Sequence, residues 1–479
     1  MEFLLLLCLV SLLVSTPSAD STDWLSHGGN ILNRRFADKE NKISPETVSN
    51  LRLKWKFDAG KDITATPSVS NGAVYFPSWD GYLYAVKESD GSLIWKQNLQ
   101  QLTGINSTGV ISNVSVTASR TTPAVADDLL IIGISGPASI VAVKRSNGDF
   151  VWSTLLDENP SGSITMSGTY YDGRGQYAGA AIWGSSPSID VSRNLVYIAT
   201  GNLYSAPQNI TDCQERQNNQ TQVPPTHSDE CMEPDNHSDS FLALDLDTGN
   251  IKWFHQLGGY DVWLFACNNL SVPDCPPGPN PDADFGEAPM MLSIDVNGTQ
   301  KDIVVAVQKS GFAWALDRDN GNIIWSTEAG PGGISGGGTW GAATDEERVY
   351  TNIVNSDGKN FTLKPSTRNT TAGGWVTMDA KTGQILWSIG DPSNGTASGP
   401  VTVANGVLFG GSTYKEGPIY AMDAKSGEIL WSYNTGATVF GGMSVSDGCI
   451  FIGHGYRVSF GVLSPNYTAG NSLFAFCIF

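Results

Sequence analysis

One repeated unit decides what this chain can fold into. Ala85-Val-Lys-Glu-Ser-Asp-Gly91-Ser-Leu-Ile-Trp95 recurs at Ala142–Trp152, Ala243–Trp253, Ala315–Trp325, Thr377–Trp387 and Ala421–Trp431. In every copy a glycine stands four residues before a tryptophan. An alternating stretch before the glycine reads as a strand, and the glycine supplies a tight turn at no steric cost. The apolar residues after it start a second strand, and the tryptophan ends that strand with a large surface to bury between neighbouring sheets. Upstream lie Thr66-Pro67-Ser68-Val69, Thr122-Pro123-Ala124-Val125 and Ser186-Pro187-Ser188-Ile189, each followed by a turn and another apolar strand. Each unit is therefore about four strands, the size of a propeller blade.

The spacing predicts an all-β propeller with seven blades, or eight if the long interval between Trp152 and Trp253 hides one. The seventh unit runs from Gly441 through Cys449 to Phe476 and lacks a final strand of its own. Leu51–Phe57 looks like that strand, so the two ends of the chain would share a blade and close the ring, leaving no free edge. The predicted organisation is a signal peptide over 1–19 and a single propeller over 20–479. Loop insertions are predicted near 203–238 and 267–285, where Asn, Gln, Pro and Asp replace strand periodicity.

The 28 basic and 47 acidic residues give a net charge of −19, which excludes nucleic acid and anionic membrane surfaces as partners. The apolar run Leu4–Val14 is too short to span a bilayer and reads as a secretory signal core. Without Cys8 there remain six cysteines. Sequence order suggests Cys213–Cys231, Cys267–Cys275 and Cys449–Cys477, one of 15 connectivities that six cysteines allow. Eleven N-x-S/T sequons, from Asn106 to Asn466, suggest a glycosylated, secreted protein of the extracellular space or cell wall. The five histidines show no metal-ligand spacing.

The A-x-D-x-x-T-G-x-x-x-W unit resembles the tryptophan-docking motif of quinoprotein alcohol dehydrogenases. Trp24–Trp55 resembles their N-terminal lead-in, with its N-x-R-[FY] and N-[LV]-x-x-L-x-x-W pattern. Asp261-Val-Trp263, Pro276–Pro279 and Asp282–Pro289 resemble the polyvinyl-alcohol-dehydrogenase-like branch, which includes secreted plant members. The resemblance implies pyrroloquinoline quinone in the central funnel beside calcium, a small-molecule or polymeric alcohol as substrate and an external electron acceptor. Ala181-Ile-Trp183-Gly184 resembles the segment whose tryptophan stacks under the quinone. Ile198–Asn202 resembles the segment whose asparagine ligates calcium through oxygen. Gln308-Lys309-Ser310-Gly311 resembles the segment whose cation contacts the quinone oxygens. Arg120 falls where a polar cofactor contact is placed, and Trp340, in a glycine-rich run, is a candidate to line the funnel.

Two departures bear on the chemistry. The family's catalytic aspartate position is occupied by Leu264, which cannot take a proton; Asp261, Asp284 and Glu287 are the candidate substitutes. The segment that carries the family's calcium glutamate matches Gly133–Ser139 and holds no carboxylate. The alternative function is a propeller that has lost quinone chemistry and binds a ligand or polysaccharide, or runs another reaction in the same funnel.

Overall fold

In the computed structural model, the described residues are 22–106, 116–158, 186–217, 235–264 and 281–479, with short stretches between them that include 182–184. The predicted signal peptide lies outside them. Seven sheets of four antiparallel strands each follow one another around a ring, and the sixth gains a fifth strand, Phe36–Ala37, paired parallel with Thr402–Ala404. The first begins with Ser68–Ser70, the second with Ala124–Ala126, the third with Ser188–Asp190 and the fourth with Met290–Val296. Ala343–Thr344, Thr402–Ala404 and Ser444–Ser446 begin the fifth, sixth and seventh. Seven blades are thus the answer to the seven-or-eight question. The ring closes as the sequence implies: Arg52–Asp58 pairs antiparallel with Ser472–Cys477. Cys449 and Cys477, opposite each other across neighbouring strands, are bridged by a disulfide.

The repeat spacing has a direct physical cause. The motif glycine of one blade is the landing site for the tryptophan of the blade before it. A Cβ on Gly427 would lie 2.6 Å from the Trp387 ring, and one on Gly383 2.6 Å from Trp325. Trp387 Nε1 donates to Ala424 O, Trp325 Nε1 to Ala380 O and Trp253 Nε1 to Arg318 O. Trp55 and Trp95 dock in the same way on the turns of Gly91 and Gly148. Trp152 departs from the pattern. It is 36% exposed, and nothing lies within 4 Å of a Cβ on Gly249.

The region near 203–238 contains a short strand, Leu203–Ser205, paired with Ala178–Gly179, and a helix over Gln208–Gln217. Sequence periodicity missed both. The Cys213–Cys231 disulfide ties this region together. Cys267 is disulfide-bonded, and its expected partner Cys275 lies outside the described residues. No helix among the described residues is long and apolar enough to cross a membrane.

The lead-in segment serves the whole ring. Trp24 and Val69 exchange backbone hydrogen bonds at the first blade. Inner strands of the next five blades then donate to it: Val125 N to Leu25 O, Ile189 N to Ile31 O, Met291 N to Leu32 O, Thr344 N to Arg34 O and Val403 N to Arg35 O. The Glu40 carboxylate accepts from Gly448 N of the seventh. Arg35 is fully buried and donates to the carbonyls of His27, Val401 and Met443. The segment thus lines the central channel and touches all seven blades.

Candidate functional site

Loops that precede a first strand and loops that follow a second strand emerge at the same end of an antiparallel blade. The candidate residues use that rule. Arg120, Trp183, Asp284 and Trp340 precede the first strands of the second to fifth blades, while Asn202 and Lys309 follow second strands. All therefore gather at one mouth of the ring.

Lys309 is at the centre of this constellation. Its Nζ donates to Asp282 Oδ1 and Oδ2 at 3.0 Å each and to Asp284 Oδ2 at 2.8 Å. The same Nζ lies 4.7 Å from the centroid of the Trp183 ring, a cation–π contact, and 5.9 Å from that of Trp263. Trp183 meets Trp340 edge to face, with centroids 5.2 Å apart. The Arg120 guanidinium lies 4.5 Å from the Trp340 ring centroid. Arg120 also borders a small hollow at the hub with His27, Thr66, Thr122, Trp340 and Phe440.

Trp340 is held in a backbone conformation that a bulky residue rarely adopts, φ +70°. Its N–H donates to Gly286 O, and its own carbonyl lies 2.6 Å from His27 Nε2. A carbonyl only accepts, so Nε2 carries the imidazole proton. Nδ1 is then the acceptor that faces Thr122 Oγ1 at 3.3 Å. Burial, reinforced by Arg35, pushes the His27 pKa down to about 3, so this ring is neutral at ordinary pH.

The candidate acids divide by environment. Asp261 accepts from Asp282 N and Ala283 N and fixes the backbone of the acidic loop. Glu287 is 1% exposed and accepts from Ala342 N through Oε2, while Oε1 has no partner. Burial raises its pKa to about 8. Neither carboxylate reaches Lys309. Asp284 does, and it accepts from Asn202 N as well. Burial opposes its ionisation, but the Lys309 ammonium outweighs this and holds its pKa below the usual carboxylate value. Asp282, absent from the candidates, is equally engaged. Burial and the neighbouring Asp284 raise its pKa to about 8. The D-x-D spacing was the available signal, since alternate residues of an extended segment face one way. His27 carried no sequence signal as a site residue.

The implied cofactors fare differently. A planar anionic quinone suits two indole rings and two buried cations, Lys309 and Arg120. Calcium does not suit the donors present. Asn202 offers at most one side-chain oxygen, Oδ1, since its Nδ2 donates to the carbonyls of Leu203 and Trp263. Among the described residues no group of three or more His, Cys, Asp or Glu side chains is arranged to hold a metal ion. Calcium takes six to eight oxygens.

Comparison with known proteins agrees with this architecture. The family described as the beta-propeller domain of glucose/ethanol/alcohol dehydrogenases, built on the PQQ repeat, matches residues 165–336. Polyvinylalcohol dehydrogenase of Pseudomonas sp. is 24% identical, over 94% of this chain and 73% of that protein. The polyvinylalcohol dehydrogenase of Sphingopyxis sp. is also 24% identical, over 93% and 75%. The crystal structure of quinohemoprotein alcohol dehydrogenase from Comamonas testosteroni superposes with a TM-score of 0.55 at 18% identity, over 97% of this chain and 81% of that one, a likeness of fold. The chain is a PQQ-repeat propeller and a homologue of the polyvinylalcohol and quinohemoprotein alcohol dehydrogenases.

Proposed function

We propose that this protein is a secreted oxidoreductase that oxidises an alcohol with pyrroloquinoline quinone at the mouth of the propeller. One observation carries the reading. The Lys309 ammonium lies over the Trp183 ring, and a second buried cation, Arg120, lies over the adjoining Trp340. Aromatic walls with a cation at each end recognise a planar polyanion. The quinone, when bound, supplies the hydride acceptor.

The residues of the chain do the rest. Trp183 offers a flat face to the ring, and Trp340, set edge to face against it, closes one side and excludes water. Lys309 and Arg120 neutralise carboxylate or quinone oxygen charge. Asp284 Oδ2, kept ionised by Lys309, is the oxygen offered to the alcohol proton in place of the base missing at Leu264. Asp282, with its raised pKa, is the neighbouring carboxylate able to retain that proton at neutral pH. Two disulfides among the described residues support an oxidising compartment. No step is assigned to calcium.

Leu264 also favours a second reading, in which the funnel binds a ligand without oxidising it. The test is calorimetric titration of the full chain with pyrroloquinoline quinone, followed by turnover of simple and polymeric alcohols with an artificial electron acceptor. Binding that is lost in Trp183→Ala and Lys309→Ala, with turnover lost in Asp284→Asn, is the expected result. Quinone binding without turnover favours the second reading. No quinone binding at ligand concentrations near about 1 mM, a weak limit for any specific site, refutes both quinone roles.

A further inference from the structure

Buried carboxylates in one pocket must be protonated, paired or bound to a cation. Four aspartates, Asp239, Asp261, Asp282 and Asp284, are each no more than 5% exposed. They are close enough that each of the other three opposes ionisation of Asp239. Both carboxylate oxygens of Asp239 are buried without a hydrogen-bond partner. Among the described residues one cationic side chain, Lys309, is hydrogen-bonded to the group. Lys309 Nζ stands within 3.0 Å of three carboxylate oxygens, two from Asp282 and one from Asp284. Those oxygens are what a divalent ion would use, and the ammonium fills the space between them.

We infer that the Lys309 ammonium is the resident cation of this acidic pocket, standing where a metal ion would otherwise sit, so that the site works without a bound metal. Two features point the same way. Asp284 Oδ1 is taken by Asn202 N. Ser139, in the segment where the family carries its glutamate, is buried and brings no charge. An ammonium and a metal ion compete for the same oxygens, because each added positive charge so close to Nζ is repelled. Removing the ammonium turns the pocket from a filled cation site into an empty one.

The claim about cofactor affinity rests on the quinone reading above; the claim about metal does not. The test begins with the full chain stripped by a chelator and titrated calorimetrically with calcium chloride and with lanthanum chloride, without quinone. The wild type is expected to show no saturable single-site binding, whereas Lys309→Ala gains one site. Lys309→Met, which keeps the aliphatic stem against Trp183, carries the same test should Lys309→Ala fail to fold. Lys309→Arg, which keeps the charge, is expected to stay silent. One saturable site in the wild type tighter than about 10⁻⁴ M, within the calcium range of extracellular modules, overturns the inference. Silence of both neutral variants overturns it too, because the pocket is then no cation site. In a second arm, quinone affinity of the wild type is measured with and without calcium. A change below about twofold is expected, and a gain of tenfold or more overturns the inference. If Lys309→Ala or Lys309→Met gains calcium while the wild type binds neither calcium nor quinone, the cation inference stands and the proposed function falls.

Discussion

Replacing His27 tests whether a neutral histidine braces the wall of the site. The ring makes two contacts, Nε2–H to Trp340 O at 2.6 Å and Nδ1 to Thr122 Oγ1 at 3.3 Å. His27→Ala leaves the Trp340 carbonyl without this donor, a loss worth about 1–3 kcal/mol for a buried acceptor. It also removes the tie on a left-handed tryptophan, a conformation that costs of order 1–3 kcal/mol by itself. The sign of the pH effect follows from the lowered pKa. An unfolded histidine protonates below its ordinary 6.5, but in the fold it stays neutral down to about 3. Stability is therefore complete above pH 6.5 and is lost as pH falls toward 3, at about 1.4 kcal/mol per pH unit. Over that window His27 alone accounts for a loss on the order of 4 kcal/mol. The buried acids act in the opposite sense: Asp261, Asp282 and Glu287, with raised pKa values, favour the fold at low pH and cost stability as pH rises toward 8. The measurement is urea unfolding of wild type and His27→Gln across pH 3–8, taking the difference between the two so that the shared acids cancel. The stability gap in favour of the wild type should narrow as pH falls, because glutamine does not titrate. Near-ultraviolet circular dichroism of His27→Ala should also lose the signal of the Trp183–Trp340 pair, and His27→Gln should restore part of it. A gap independent of pH, or an unchanged indole signal in His27→Ala, would refute the reasoning.

Three further outcomes follow from the ring. Gly427→Ala places a methyl 2.6 Å from Trp387 at φ +75° and should cost at least about 2 kcal/mol more than Gly249→Ala, whose strain is similar but which meets no neighbour; urea midpoints decide. Trp387→Ala should cost about 3–5 kcal/mol, as expected for a large aromatic 2% exposed. Reducing or removing the Cys449–Cys477 bridge, which spans 28 residues, should cost about 3–4 kcal/mol by chain entropy, seen as a lower thermal midpoint than in the intact protein.

Most of the architecture was legible because the repeat encodes a contact rather than a propensity. A glycine four residues before a tryptophan is needed where the preceding blade's tryptophan lies flat on the turn, as Trp325 does on Gly383. That demand recurs once per blade and leaves a periodic record. The closing strand was legible for a related reason: a seventh unit one strand short must borrow it. The helix at Gln208–Gln217 left no such record, since it lies outside the repeated unit and its sequence is largely polar. Within the site, Trp183, Lys309 and Arg120 were nominated by likeness to known segments and Trp340 by its glycine-rich run, and the structure brings them within one cluster. The roles of Asp282 and His27 were not legible. Each depends on a partner elsewhere in the sequence, Lys309 and Trp340; the D-x-D spacing hints at Asp282, but nothing local to His27 marks its pairing.

The lead-in segment connects these two scales. Its carbonyls take hydrogen bonds from the inner strands of six successive blades, and the Glu40 side chain reaches the seventh. Inner strands that each bond the same segment cannot shift independently of one another. Arg120, Trp183 and Trp340 precede those strands by a few positions and Lys309 follows the strand paired with the fourth of them, so the distances among these residues are fixed by the hub rather than by the loops themselves. His27 is the residue through which this bracing reaches a site wall directly, because its imidazole links the lead-in to the Trp340 carbonyl. A planar ligand that needs two indoles and two cations held at set distances is best served by such a frame. The cluster is assembled from four different blades, so closure of the ring, not local sequence, sets its geometry.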